Sequence, residues 1–140
     1  MSSKDLLKGK KPFKVTSELR EKIINIIKEA LRGEDRVLLV ILFGGFLEQE
    51  YTRDIDLALY VREPGDILDD YGYAEELAER LSKKTGYPID IVILNHASDY
   101  LFNTVMLSGK PLIVRDYRLY YGLRLLAIDQ RNFFRSLYRK

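Results

Sequence analysis

Residues 43–57 read Phe43-Gly44-Gly45, then an eight-residue loop, then Asp54-Ile55-Asp56-Leu57. The run Val37–Phe43 in front of this stretch is continuously apolar, rich in branched residues and too short for a buried helix, so it predicts a core strand. After the loop, apolar residues occupy every second position, which predicts another strand with one apolar face: Ile55, Leu57, Leu59 and Val61.

The rest of the chain alternates between helical and strand patterns. Apolar residues at helical spacing behind Thr16 and Ser17 predict a first helix, and a second helix through Ala74 and Leu81 ends near Gly86. Further segments predict a third strand at Ile89–Leu94, a short helix from about Ser98 to Leu107, a short fourth strand at Pro111–Val114 and a C-terminal helix over 116–138. This order predicts an α/β (α+β) fold in which helices flank a small mixed β-sheet.

The composition indicates one globular domain spanning residues 1–140. No apolar run approaches the roughly 20 residues needed to cross a bilayer, so we expect no membrane partner and a cytoplasmic protein. Because the chain has no cysteine, any metal site must use other ligands. Basic segments flank an acidic centre, and the lysine-rich residues 1–14 are predicted to be a flexible basic N-terminus.

Three aspartates lie where an apolar strand would not be expected to carry charge. Asp54 and Asp56 are two apart on one strand, so their carboxylates should project from the same face with backbone positions about 7 Å apart. Asp90 is likewise a charged residue at the start of an otherwise apolar strand. Clustered carboxylates repel one another unless a cation compensates, and an oxygen-only set favours Mg²⁺ or Mn²⁺. The alternatives are solvation at a strand edge or, for the first pair, a salt bridge with Arg53.

Gly44 and Gly45 allow two interpretations. Paired glycines commonly form a tight turn at the end of a strand. They also let phosphate oxygens approach backbone amides without a side chain in the way.

The combination of Phe43-Gly44-Gly45 with Asp54-Ile55-Asp56-Leu57 resembles the signature of the DNA polymerase beta nucleotidyltransferase superfamily. The short chain, the strand containing Asp90 and the later Leu107-Ser108-Gly109-Lys110 resemble the minimal nucleotidyltransferases, over about residues 17 to 138. The resemblance implies a nucleotidyltransferase fold in which Asp54 and Asp56 bind the metals that bridge a nucleoside triphosphate. It also implies that Asp90 completes the catalytic site and helps activate an attacking hydroxyl, and that Gly44 and Gly45 bind the nucleotide phosphates.

Many minimal nucleotidyltransferases resemble antitoxins that silence HEPN-family ribonuclease toxins by moving AMP from ATP onto a toxin tyrosine. The resemblance therefore implies a Mg²⁺- or Mn²⁺-dependent enzyme with ATP as substrate and a HEPN-family protein as partner. We expect no nucleic-acid partner, although transfer to an RNA end or a small molecule stays open, as does a homo-oligomer. The alternative is an inactive module that neutralises its partner by occlusion, which Glu48 and Glu50 favour because they would repel a triphosphate.

Three further expectations concern residues outside the aspartate set. Arg53 neighbours Asp54 and should point to the opposite face. The lone His96 follows a strand and should be a loop or capping residue rather than a general base. The C-terminal helix is predicted to be either a docking face or a plain surface helix, on the strength of Arg124, Arg131, Arg135 and Arg139 beside Tyr120, Tyr121, Phe134 and Tyr138.

Overall fold

The computed structural model describes residues 11–138, which form a central β-sheet between two layers of helices. The strands are β1 (Phe13–Lys14), β2 (Val37–Phe43), β3 (Tyr51–Thr52), β4 (Ile55–Val61), β5 (Ile89–Ile93) and β6 (Lys110–Val114). The helices are α1 (Ser17–Leu31), α2 (Gly45–Glu48), α3 (Ile67–Thr85), α4 (Asp99–Ser108) and α5 (Tyr117–Tyr138), and a 3₁₀ turn, Leu94–His96, precedes α4. None of the helices within this range is long and apolar enough to cross a membrane.

The main sheet is mixed, with the strand order β5-β4-β2-β6. Strand β2 runs antiparallel to both β4 and β6, whereas β4 and β5 are parallel. Strands β4, β5 and β6 therefore all point in one direction, and they all begin at the same end of the sheet. The predicted α/β fold with a small mixed sheet is confirmed, including the short fourth strand of the sequence prediction, which is β6.

The two faces of the sheet bury separate apolar clusters. Helices α1 and α3 cover one face, where all four alternating apolar residues of β4 are buried, as predicted: Ile55, Leu57, Leu59 and Val61. Helices α4 and α5 cover the other face, where they pack on Leu39, Ile41 and Ala58. Burial of apolar area on both faces is the main stabilising term of such a layered fold.

Short polar side chains determine where the helices begin. The Thr16 hydroxyl accepts a hydrogen bond from the Leu19 N–H at 3.1 Å. The Asp66 carboxylate accepts from the Asp69 N–H at 2.9 Å, so α3 begins well before the predicted segment around Ala74. Each bond satisfies an N–H group that the first helical turn leaves without a partner. Helix α3 ends at Gly86, which adopts the left-handed conformation with φ 82°.

The N-terminal prediction is wrong for part of its range. Residues 13–14, predicted to be flexible, form β1 and pair antiparallel with β3. The Phe13 ring lies 4.5 Å from the Tyr87 ring, measured between centroids, and this burial holds β1 in place. Residues 1–10 of the predicted flexible segment lie outside the described residues.

Candidate metal centre and nucleotide site

Parallel pairing of β4 with β5 brings the three aspartates together. The register places Asp56 directly beside Asp90, and Asp54 immediately precedes β4 rather than lying on it. The Ile55 N–H donates to the Pro88 carbonyl at 2.9 Å, which fixes the start of both strands. One carboxylate oxygen from each aspartate lies within 4.8 Å of the other two. The predicted convergence of Asp54, Asp56 and Asp90 is therefore present in the fold.

The aspartates lie at the end of the sheet where β4 and β5 begin, on the face covered by α4 and α5. This placement follows from alternation, because Ile55 and Leu57 on either side of Asp56 are buried against α1 and α3. Asp54 and Asp56 are half-buried, and Asp90 is exposed. The cluster can therefore be reached from solvent.

The chemistry of these donors fits a hard divalent cation. Three carboxylates can each supply an oxygen, and neither a thiolate nor an imidazole belongs to the cluster. Oxygen-rich sets of this kind suit Mg²⁺ or Mn²⁺ better than softer metals. Asp54, Asp56 and Asp90 are accordingly the residues that would hold metal.

Gly44 contacts this carboxylate cluster directly. Its φ of 81° lies in the region that side-chain-bearing residues rarely adopt. A Cβ atom at this position would lie 2.6 Å from an Asp56 Oδ atom, which is far inside van der Waals contact. At Gly45 a Cβ atom would lie 2.8 Å from the Thr52 Oγ1. Backbone conformation and close approach together favour glycine at position 44, whereas at position 45 a side chain would require the Thr52 side chain to shift.

The segment after the glycines is more ordered than the sequence suggested. It was expected to be a polar loop, but it forms α2 and β3, and Phe46 is fully buried in the α1/α3 core. The Arg20 Nε–H donates to the Phe46 carbonyl at 3.0 Å, and the guanidinium carbon lies 5.9 Å from the Phe46 ring centroid. One buried aromatic and one arginine therefore hold this segment against the aspartates.

A cavity of about 500 Å³ adjoins the cluster. Its lining residues are Pro12, Gly45, Gln49, Tyr51, Thr52, Arg53 and Asp54. Arg53 lies ahead of β4, where the alternation of a strand does not apply, and it is among the residues that line this cavity. Glu48 and Glu50 are exposed and are not among them. Of the charged residues in 11–138, Arg53 and Asp54 line the cavity.

His96 lies in the 3₁₀ turn after β5, so the expectation that it is a loop residue is confirmed, and it also makes a contact that the sequence did not predict. Its Nε2 lies 2.7 Å from an Asp70 Oδ atom, and the Arg36 guanidinium donates to the other Asp70 oxygen at 2.9 Å. Asp70 is only 1% exposed. The hydrogen bond from His96, followed by that from Arg36, lowers the pKa of Asp70 below its ordinary value. His96 and Arg36, both partly exposed, therefore form a polar cluster around the buried Asp70 of α3.

Two residues beside this cluster also interact. The Tyr73 hydroxyl donates to a Glu34 carboxylate oxygen at 2.9 Å. Burial, and then this bond to Glu34, raises the pKa of Tyr73 to about 12. No local sequence pattern indicates these contacts, because Glu34, Asp70 and His96 are far apart along the chain.

The predicted docking residues of α5 separate into two groups. Tyr120 is buried, and the Arg124 guanidinium donates to the Met106 carbonyl at 3.0 Å, so both contact the protein's own core. Tyr121, Arg131, Phe134, Arg135 and Tyr138 are exposed. Arg139 lies outside the described residues.

A mixed sheet that carries a glycine pair beside three convergent carboxylates defines a nucleotidyltransferase-type domain. Residues 21–118 match the family described as "Polymerase beta, Nucleotidyltransferase". The chain therefore belongs to the polymerase beta nucleotidyltransferase family, as the sequence resemblance implied. No curated protein matches the sequence significantly.

Solved structures of toxin–antitoxin complexes contain similar chains. One is the complex of a tri-AMPylated Shewanella oneidensis HEPN toxin with its MNT antitoxin, with 24% identity, TM-score 0.65, and 84% of this chain and 90% of that chain covered. A second is the toxin–antitoxin MntA-HepT, with 22% identity, TM-score 0.59, and coverages of 86% and 91%. A third is a toxin–antitoxin with AMP-PNP, with 25% identity, TM-score 0.64, and coverages of 81% and 90%. The match to minimal nucleotidyltransferases is thus confirmed at the level of the fold.

Proposed function

We propose that this chain is a metal-dependent nucleotidyltransferase that moves AMP from ATP to a hydroxyl, namely a tyrosine of a HEPN-type toxin partner. The observation that carries the proposal is the convergence of Asp54, Asp56 and Asp90 within 4.8 Å, beside Gly44 and at the edge of a cavity. Such an arrangement suits displacement at phosphorus, where charge accumulates on oxygen and must be stabilised.

The residues have distinct roles in the proposed reaction. Asp54 and Asp56 hold the divalent cations, which when bound neutralise the triphosphate and stabilise charge in the transition state. Gly44 and Gly45 leave room for phosphate oxygens close to the backbone. Arg53, which lines the cavity, supplies a cation toward the triphosphate.

Asp90 takes the proton in the transfer step. The acceptor hydroxyl loses its proton to the Asp90 carboxylate, and its oxygen forms a bond to the α-phosphorus of ATP. The bond from that phosphorus to the oxygen bridging toward the β-phosphate breaks, and pyrophosphate leaves with the electron pair. The product is AMP esterified to the acceptor. Asp90 suits this role because it is the most exposed of the three aspartates.

Similar proteins support the choice of donor and acceptor. One similar chain was solved with AMP-PNP, an ATP analogue, and another accompanies a toxin that carries AMP groups. Glu48 and Glu50 do not line the cavity beside the aspartates, which supports an active enzyme over an inactive module.

The substitution Asp56→Asn tests catalysis against occlusion. It preserves the shape of the side chain but removes a ligand charge, so AMP transfer should fall by several orders of magnitude. Intact-mass spectrometry of a co-expressed HEPN-family partner should show added AMP with the native chain and none with Asp56→Asn. Asp35→Asn, an exposed change in the turn between α1 and β2, should transfer AMP normally. Equal silencing of the partner by the native chain and Asp56→Asn, with no added mass in either case, would identify an occluding module instead.

A further inference from the structure

Helix α5 extends past the end of the sheet that carries the aspartates. Both α4 and α5 start at the opposite end, because α4 follows β5 and α5 follows β6, and these strands are parallel. The bond from Arg124 to the Met106 carbonyl joins the eighth residue of α5 to the eighth of α4, so the two helices advance together.

The two helices differ greatly in length. Helix α4 has 10 residues and α5 has 22. At about 1.5 Å per residue, the last twelve residues of α5 extend roughly 18 Å past the end of α4. The final eleven of them, residues 128–138, are termed the docking arm. The arm lies on the same face of the sheet as the carboxylates and extends from the same end.

The docking arm continues an apolar stripe that is buried in the first half of the helix. Positions 120, 123, 127, 134 and 137 are apolar and, together with Gln130, follow one another at spacings of three and four along one side of α5. Tyr120 is 8% exposed and Ala127 is 0% exposed, whereas Phe134 is 47% and Leu137 is 56% exposed. Gln130 is partly buried, so within residues 11–138 the stripe becomes exposed from Phe134 onward.

We propose that the docking arm binds an amphipathic helix of the partner protein and so brings the acceptor hydroxyl to the carboxylate cluster; this inference rests on the proposed function. A helix is the expected occupant because the first half of the same stripe packs against a helix, α4. Arg131 and Arg135 lie one turn apart beside Phe134 and are exposed, so the partner helix carries acidic residues along one flank.

The arrangement also accounts for the length of α5. All eight residues from 131 to 138 are exposed, and an exposed helix end has few tertiary contacts that keep it helical in solution. Phe133, Phe134 and Leu137 together form an exposed apolar surface, and aromatic and arginine side chains are the usual anchors of an interface.

The test measures binding and transfer separately, using the full chain and a co-expressed HEPN-family partner. The double variant Phe134→Asp/Leu137→Asp should weaken partner binding about a hundredfold, and AMP transfer to the partner should fall with it. Leu68→Asp, which changes a leucine of α3 that is 79% exposed in the opposite helical layer, is the control and should behave as the native chain. Calorimetric binding of Mn²⁺ with AMP-PNP should stay unchanged in both variants, which shows that the fold and the metal site are intact.

A second variant keeps the test decisive if the double substitution disturbs folding. Arg131→Glu/Arg135→Glu changes only exposed charges and should weaken partner binding about tenfold at low salt. Native partner binding by both variants would overturn the proposal. A second outcome would also overturn it: the variants convert the chain from dimer to monomer while their affinity for the partner is unchanged. The docking arm would then bind a second copy of this chain. Asp56→Asn should bind the partner normally. Loss of AMP transfer with partner binding retained would therefore indicate a catalytic defect and would not count against the docking arm.

Discussion

Gly44 shows how closely the backbone approaches the carboxylates. Its positive φ and the 2.6 Å separation between a would-be Cβ and an Asp56 oxygen leave no space for any side chain. Gly44→Ala should therefore displace Asp56 and reduce AMP transfer about a hundredfold, since a shift of roughly 1 Å at a reacting centre has an effect of that size. Transfer kinetics provide the measurement.

The control for this substitution is Gly72→Ala on α3. A Cβ at Gly72 meets nothing within 4 Å, and alanine favours a helix, so this variant should gain roughly 0.5–1 kcal/mol in stability and keep native activity. If Gly44→Ala were as active as Gly72→Ala, the glycine would have no close relation to the metal ligands.

The buried Asp70 carboxylate gives a pH-dependent prediction. Its pKa in the folded chain lies below the ordinary value of 3.8, mainly because His96 and then Arg36 hydrogen-bond to it. A lowered pKa adds stability above pH 3.8, and that stability is lost as the pH falls through the lowered pKa. Asp70→Asn should therefore melt at a lower temperature than the native chain at about pH 6, and the difference should shrink toward about pH 3.

Melting curves across this pH range, with Glu76→Gln as an exposed-carboxylate control, check the prediction. A difference between native chain and Asp70→Asn that stays constant as the pH falls would show that the ion pair contributes nothing through its charge.

At the level of elements, α2 depends on its packing. A helix of four residues has too few hydrogen bonds to persist alone, so the burial of Phe46 and the bond from Arg20 hold it in place. Phe46→Ala should lower the free energy of unfolding by about 3–5 kcal/mol, and Phe46→Leu by under about 1.5 kcal/mol. Urea denaturation measures both. Equal stability of the two variants would mean that the aromatic ring does not anchor the segment.

The long elements were predictable from the sequence, whereas the short ones were not. Apolar periodicity located β2, β4, β5 and the helices because each buries a continuous face. Strands β1 and β3 have two residues each and exist only because they pair with one another. Helix α2 likewise depends on tertiary contacts, and a helix of four residues is too short to show a periodic apolar pattern in the sequence.

At the level of the whole molecule, the site could be foreseen only in part. Spacing predicted that Asp54 and Asp56 would converge, since that depends on one short segment. The position of Asp90 beside Asp56 depends on the parallel register of β4 and β5, two strands that are connected through α3 and are far apart along the chain. The pairing of Asp70 with His96 is likewise a consequence of the assembled fold.

The same distinction applies to α5. The sequence showed arginine and aromatic residues along this helix, but not which of them face the core. Only the common direction of α4 and α5 shows that Arg124 faces inward while Arg131 and Phe134 project beyond the aspartate end of the sheet.

The central claim is that Asp54, Asp56 and Asp90 form a divalent-metal site for nucleotide chemistry, and titration calorimetry with Mn²⁺ in the presence of AMP-PNP tests it most directly. Carboxylate ligands should give the native chain saturable Mn²⁺ binding, which the double variant Asp54→Asn/Asp56→Asn should lose. Gly72→Ala should bind Mn²⁺ as the native chain does, because its substitution lies away from the cluster. Equal Mn²⁺ binding by the native chain and by Asp54→Asn/Asp56→Asn would contradict the account.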